Sequence, residues 1–322
     1  MKVIVTGGMG FIGAHLVKQL VDDKFKVVTI DNSEQYFEKI DLSYYKKIQY
    51  RKEVLLKKSK NYHVNLNAPH LVYEIIDREK PDYLVHLAAL PLANIAINNR
   101  HLAMEGIFNS TYNLLESLHN KKKIKKFVYV SSSMIYGDFK KNPQSEDNTI
   151  IEPKDIYGSL KACGELLTKA YFKNYKLPIN IVRPSAVYGP TDCNRRVLQN
   201  FIEKSLNMEK LNIYDGKKTY LDFTYVKDIA SAIKIVLLKG KPGETYNATF
   251  GNSRTIYDAF KILKKLNPST KGILKENKEN FRPIRGTLDI TKIKKLGFRP
   301  KYNLEKGIKE YFEFNKKIIF NN

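Results

Sequence analysis

The sequence predicts an α/β fold, a doubly wound parallel sheet with a smaller C-terminal lobe woven into it. Three observations carry this expectation. Short apolar runs alternate with helical patterns through the first half of the chain. Those runs are continuously apolar, as strands covered on both faces are. The first of them also leads straight into a glycine-rich turn that opens a helix.

Taken in order, strands are expected at Lys2–Thr6, Lys26–Asp31, Tyr62–Leu66, Tyr83–Leu87, Phe127–Ser131 and Ile179–Arg183. Between them, amphipathic periodicity predicts helices over Phe11–Asp22, Pro69–Glu79, Ile107–Lys121 and Tyr157–Tyr175. Residues 34–60 are polar and long for a connection, so a helical excursion is expected there. After Arg183 the pattern changes, with Pro184, Gly189 and Pro190 marking loops. Helices follow over Arg196–Asn207, Val226–Leu238 and Leu304–Phe314, with a turn at Asp215-Gly216. No linker or repeat separates these parts, so the second lobe reads as interwoven with the first.

Bulk composition narrows the possibilities. The 322 residues suffice for two domains, or for one large domain with a lobe, and 43% hydrophobic with 28% charged residues is ordinary for a globular chain. The net charge of +23 is spread along the sequence, with clusters at Lys57–Lys60, Lys121–Lys126 and Lys292–Lys295. Solvated lysine faces explain it, so no nucleic-acid partner is expected, and anionic small substrates gain some attraction. No apolar run approaches membrane-spanning length, so no membrane partner is expected. The N-terminus reads as a strand, not a signal peptide. Cys163 and Cys193 show neither metal-ligand nor disulfide spacing, which fits a reducing, cytoplasmic setting with no metal site.

Thr6-Gly7-Gly8-Met9-Gly10-Phe11-Ile12-Gly13 carries glycines at 7, 10 and 13. They permit a tight turn, close approach of a pyrophosphate and tight helix–strand packing. The helix that follows offers free N–H groups and the positive end of its dipole to phosphates. Asp31, with Asn32 beside it, ends the second strand where ribose hydroxyls are read. A carboxylate there repels a 2'-phosphate and so favours NAD over NADP, although Lys39 nearby could soften the repulsion.

Tyr157 and Lys161 in Tyr157-Gly158-Ser159-Leu160-Lys161 fall on one helix face. An ammonium held near a phenol favours the phenolate, which makes the tyrosine able to exchange protons near neutral pH.

With these motifs in view, the chain resembles an extended short-chain dehydrogenase/reductase of the NAD-dependent epimerase/dehydratase family. The matching segments are TGGMGFIG at 6–13, HLAAL at 86–90, SSSMIYG at 131–137, YGSLK at 157–161, RPSAVYGP at 183–190 and LGFRP at 296–300. The resemblance implies a Rossmann-type NAD-binding domain over 1–183, with a return segment at about 224–250. It implies a nucleotide-sugar lobe made of 184–223 and 251–322, and a homodimer. By position it makes Ser132 the catalytic hydroxyl, Tyr157 the acid/base, and Lys161 the ligand of the nicotinamide ribose. It lines the cofactor's path with Leu87, Ala88 and Ala89, sets Pro184 near the nicotinamide, and puts Asn65 and Leu66 near the adenine. His86 is implied to be structural. Arg282 matches the family's diphosphate arginine, and Ser133, Asn194 and Arg195 join it as candidate substrate contacts, with Arg196 beside them.

Departures from the family sort the possible reactions. Dehydratases of the family carry an Asp-Glu pair after the catalytic hydroxyl, where this chain has Ser133 and Met134. A thioether is no acid or base, so 4,6-dehydration is disfavoured. The expectation is a nucleotide-sugar 4-epimerase working through a 4-keto sugar. A 4-ketoreductase of a 6-deoxy nucleotide sugar is the alternative, and a non-catalytic dinucleotide sensor is a more distant one. Leu221 stands where many members carry an Arg, Ala186 where many carry an Asn, and Pro91 where some hexose epimerases carry a Lys. The hexose therefore stays open.

Overall fold

The computed structural model describes residues 1–36, 41–119, 124–147, 149–276 and 282–320. Lys39 and the end of the helix expected over Ile107–Lys121 lie outside them, as does part of the Lys121–Lys126 cluster.

The first half alternates as expected: β1 (Lys2–Thr6), α1 (Phe11–Asp22), β2 (Lys26–Asp31), α2 (Leu42–Tyr50), β3 (Lys60–His63), α3 (Pro69–Glu79) and β4 (Tyr83–His86). Then come α4 (Ala93–Asn98), α5 (Arg100–Ala103), α6 (Ser110–His119), β5 (Lys126–Val130), α7 (Ile156–Tyr175) and β6 (Ile179–Pro184). The remainder is β7 (Val187–Tyr188), α8 (Val197–Leu206), β8 (Leu211–Tyr214), β9 (Tyr220–Leu221), β10 (Thr224–Tyr225), α9 (Val226–Lys239) and β11 (Thr245–Ala248). It closes with β12 (Arg254–Thr255), α10 (Ile256–Leu266), β13 (Gly272–Lys275), α11 (Thr291–Lys295) and α12 (Leu304–Phe320).

Seven strands form one parallel sheet in the order β11-β6-β5-β4-β1-β2-β3. Successive residues of each strand point to opposite faces. Val3 and Val5 therefore pack with α1 and α9 through Leu16, Leu20, Ile229 and Ile233. Ile4 packs the other way, with Val72, Ile76, Leu114 and Leu118 of α3 and α6. Both faces are buried, which is why the strand sequences lack alternation. Each fully buried Leu or Ile contributes about 1.5–3 kcal/mol. A third core of Leu198, Phe201, Ile213, Phe260, Leu263 and Ile308 holds the C-terminal part together.

Several boundaries differ from expectation for local reasons. The third strand spans Lys60–His63, set by pairing with β2 from Val28↔Lys60 onward. Asn65 then turns the chain by accepting from the Asn67 amide at 2.9 Å. The helix expected from Ile107 enters as a π-helical turn over Met104–Asn109. There Thr111 Oγ1 bonds back to the Ile107 carbonyl at 2.6 Å, a competitor of regular helix geometry. The excursion after β2 is helical, as expected, with α2 running on into a π-helical turn at Arg51–Leu55. Helix α10 was not anticipated, although Thr255 and Asp258 form a full capping box at its start.

The strand order reverses between β1 and β4, and such a switch point opens a crevice at the carboxyl ends of the strands. The glycine turn after β1 and Leu87-Ala88-Ala89 after β4 meet there. Gly7 has φ +67°, and a Cβ on it would stand 2.6 Å from the Ala88 backbone nitrogen. Only glycine fits that position.

Candidate active site

A cavity of about 1480 Å³ runs along this edge of the sheet. At one end lie the glycine turn, Asp31, Asn32, Asn65 and Leu66, and at the other the C-terminal lobe. Gly7, Gly10, Phe11, Ile12 and Gly13 line it together with Leu87, Ala88, Ala89 and Pro184. Ser132, Ser133, Tyr157 and Lys161 line it as well, as do Asn194, Arg195 and Arg282. All the sequence-derived site residues thus meet in one space.

At the glycine end the fit to a dinucleotide can be judged from the backbone. Helix α1 begins at Gly10 with no side chain capping its first-turn amides. Those N–H groups are free for phosphate oxygens. Asp31 accepts the Met9 amide on Oδ2 at 2.9 Å and the Ser33 amide on Oδ1 at 2.8 Å. Its carboxyl thereby ties the glycine turn to the end of β2, with lone pairs left for ribose hydroxyls. Burial raises its pKa, and the Ser33 and Met9 amides and Arg51 oppose that rise.

Tyr157 stands in the first turn of α7, which Asp155 caps by accepting the Gly158 amide at 2.8 Å. Lys161, one turn on, donates from Nζ to the Val130 carbonyl at 2.8 Å and lies 5.2 Å from the Tyr129 ring centroid. Burial pushes its pKa down to about 7, against the field of Glu165. Ser132 follows β5, and its Oγ accepts the Met134 amide at 3.2 Å, starting a 3-10 turn over Ser133–Tyr136. The same hydroxyl lies beside the Tyr157 phenol and favours its ionised form.

One electrostatic expectation is corrected. Proximity to Lys161 was expected to lower the Tyr157 pKa, but burial raises it above the usual phenol value. The opposing influences are Arg196 and the Ser132 hydroxyl. Lys161 directs one N–H to the Val130 carbonyl and is not among the groups that lower the Tyr157 pKa, so the phenol is the resting form.

His86 is held between Thr6 Oγ1 at 2.7 Å and Thr111 Oγ1 at 3.0 Å, and burial lowers its pKa to about 3. It is a neutral strut. Asp222, beside Leu221, is buried and accepts from Thr249, the Gly251 amide and the Leu288 amide. It joins segments of the lobe and does not face a phosphate.

Sequence reasoning missed two lining residues, Arg51 and Arg285, and named Arg196 as a neighbour of the candidate substrate contacts. Arg51, in the π-helical turn, donates to the Met9 carbonyl at 3.3 Å and to the Thr191 carbonyl, bridging the glycine turn to the loop after β7. Arg196 pairs with Asp192 at 3.1 Å and lies 5.9 Å from the Phe11 ring centroid, which brings its charge to bear on Tyr157. Arg285 lines the cavity three residues after Arg282, within the field of Asp155. In a chain with 56 Lys and Arg residues, nothing local marked Arg51 or Arg285 out.

Fold and site together define a dinucleotide-binding protein with the Ser, Tyr-x-x-x-Lys arrangement of a sugar-nucleotide enzyme. The chain belongs to the NAD dependent epimerase/dehydratase family, whose model matches residues 3–249. A dTDP-D-glucose 4,6-dehydratase of Dictyostelium discoideum is 33% identical over 260 residues, which cover 76% of this chain and 57% of that protein. Among solved structures, the UDP-glucose 4-epimerase of Thermotoga maritima with UDP-glucose is similar at 28% identity and a TM-score of 0.87, covering 98% of this chain and 99% of the other. The UDP-glucuronic acid 4-epimerase of Bacillus cereus, in complex with UDP-glucuronic acid and NAD, is similar at 26% identity and a TM-score of 0.88, covering 99% and 100%. Epimerases and dehydratases both surround this chain.

Proposed function

We propose that the protein is an NAD-dependent nucleotide-sugar 4-epimerase that passes its substrate through a transient 4-keto sugar. The observation that carries this reading is the composition of the cavity: Ser132, Tyr157 and Lys161 converge where Ser133 and Met134 stand in place of an acid pair. Proton transfer at one hydroxyl is within the means of this set. Elimination of water needs a further acid or base beside it. The Thermotoga and Bacillus cereus 4-epimerases are compatible with this reading, and dehydratases are equally near neighbours, so the choice rests on Ser133 and Met134.

NAD is the cofactor in this reading, supported by the uncapped start of α1 and by Asp31 at the end of β2. When bound it supplies the hydride acceptor and donor. Tyr157 accepts the proton of the sugar C4 hydroxyl and later returns it, while Ser132 holds the same oxygen in line. Lys161 binds the nicotinamide ribose and keeps a positive charge beside the phenol. Because burial raises the Tyr157 pKa, the Ser132 hydroxyl and nearby cations have to favour the phenolate as the substrate closes the site.

Residues 1–183 and about 224–250 hold the dinucleotide, and 184–223 with 251–322 hold the nucleotide sugar. Asn194, Arg195 and Arg282 face the diphosphate, where planar guanidinium donors suit phosphate oxygens. The active unit is a homodimer, supported by the exposure of Leu166 (65%) on α7 and Tyr112 (46%) on α6. A cytoplasmic setting belongs to the same reading, with both cysteines free. Among the described residues no helix is long and apolar enough to cross a membrane.

The test is a panel of UDP-, GDP- and dTDP-sugars followed by NMR of the sugar. C4 epimers formed with stoichiometric NAD released from the denatured protein are expected. A 4-keto-6-deoxy product would establish dehydration instead. An empty cofactor site with NADPH oxidation by a 4-keto sugar would establish a reductase.

A further inference from the structure

On the side of Lys161 away from the cavity, four buried side chains form one hydrogen-bonded series. Glu165 lies one turn beyond Lys161 on α7 and is fully buried. Arg183 of β6 donates to both its oxygens, from Nε at 2.9 Å and from Nη2 at 2.6 Å. The Nη1 of Arg183 donates to the Tyr136 hydroxyl at 2.8 Å, and that hydroxyl donates to Asn247 Oδ1 at 2.7 Å. Asn247 on β11 in turn donates to the Gln144 and Asp289 carbonyls. The series therefore ties α7, which carries Tyr157 and Lys161, to the turn that starts at Ser132.

We propose that Glu165 is a positioning residue for Lys161 and Tyr157: clamped by Arg183, it holds the charge on Lys161, and through Tyr136 it fixes the Ser132 turn against α7.

A buried ion pair is poor evidence of stabilisation, because an apolar pair of equal volume often does as well. Its location here has another use. The groups around Lys161 are Glu165 and Tyr157 on α7, the Tyr129 ring and Val130 carbonyl on β5, and His86 on β4. Burial keeps His86 neutral, and Tyr157 rests as a phenol. Glu165 is the anion whose field acts on Lys161, with Lys169 at 3.9 Å on its far side. Arg183 meets that carboxylate with two parallel N–H donors, which fixes its orientation on α7.

The proposal rests on the catalytic reading of Ser132, Tyr157 and Lys161, and its test separates the two. The titration of Lys161 is read by NMR in protein carrying ¹³C-lysine, with the signal assigned by its loss in Lys161→Arg. Glu165→Gln is expected to weaken proton binding at Lys161 by about tenfold or more, because a carboxylate is lost and the Arg183 cation is left unpaired. Glu165→Gln combined with Arg183→Gln removes both charges and is the variant that decides if the single one does not fold. It is expected to shift Lys161 in the same direction by a smaller amount. A Lys161 midpoint unchanged in a folded variant overturns the proposal. The pH profile of turnover is then compared. If Lys161 shifts and the profile does not, Glu165 keeps its role and the proton-transfer reading of the site fails.

Discussion

The two ends of the cavity are built from different materials. The dinucleotide end is mostly backbone: a glycine turn, the uncapped start of α1, and Leu87-Ala88-Ala89 pressed against Gly7. The other end carries long side chains, with Arg282 and Arg285 before α11. A surface of amides gains its shape from the sheet and holds it rigidly. A surface of arginines can be exchanged residue by residue without disturbing the sheet.

The largest effect is expected where the two ends meet. Tyr157→Phe should lower kcat by about 10³-fold while leaving dinucleotide binding intact, since it removes the proton-transferring atom and little volume. Single-turnover rates alongside quantified bound dinucleotide will decide, and full turnover would end the proposed mechanism.

Gly7→Ala probes the backbone end. Its Cβ would meet the Ala88 nitrogen at 2.6 Å with φ at +67°, so strain of about 1–3 kcal/mol and a widened crevice are expected. Dinucleotide affinity should fall by about tenfold or more in calorimetric titration. An unchanged affinity would show that the turn is less rigid than its contacts imply.

Arg282→Ala probes the side-chain end. KM for the nucleotide sugar should rise by about tenfold, with kcat and dinucleotide affinity little changed, as for lost ground-state contacts to a phosphate. A fall in kcat alone would move Arg282 out of the diphosphate site.

The smallest effect concerns the scaffold of the dinucleotide end. Glu79 accepts from Lys2, Lys60 and Tyr62, which join α3 to β1 and β3. Burial opposes ionisation there, but these hydrogen bonds prevail and hold its pKa at about 2, below the usual value of 4.5. The stability it contributes is thus present above about pH 4.5 and lost as pH falls towards about 2. Glu79→Gln should lower Tm by about 2–4 °C at pH 7, with the gap to the unaltered protein closing across that window. A gap independent of pH would assign the loss to packing.

The same contrast explains what could be read from the residues alone. β1, α1 and β2 announce themselves through periodicity and punctuation, and the spacing of Gly7, Gly10, Gly13 and Asp31 is local. Tyr157 and Lys161 are legible because one helical turn joins them. Arg51 is not, because its significance comes from the Thr191 carbonyl, which tertiary structure alone brings near. The raised Tyr157 pKa was illegible for a related reason. Spacing shows that a lysine is close, but the burial that raises the phenol's pKa comes from tertiary packing.

The seventh strand has a consequence for how the chain is made. β11 pairs with β6 from Thr245↔Ile181 to Ala248↔Pro184, yet the whole 185–244 excursion is synthesised between them. During translation β6 therefore waits as an open edge, with the Tyr136 hydroxyl still without its Asn247 acceptor, until the excursion has left the ribosome. A nascent chain stalled before Thr245 should expose that edge to chaperones, and release of the full strand should close it.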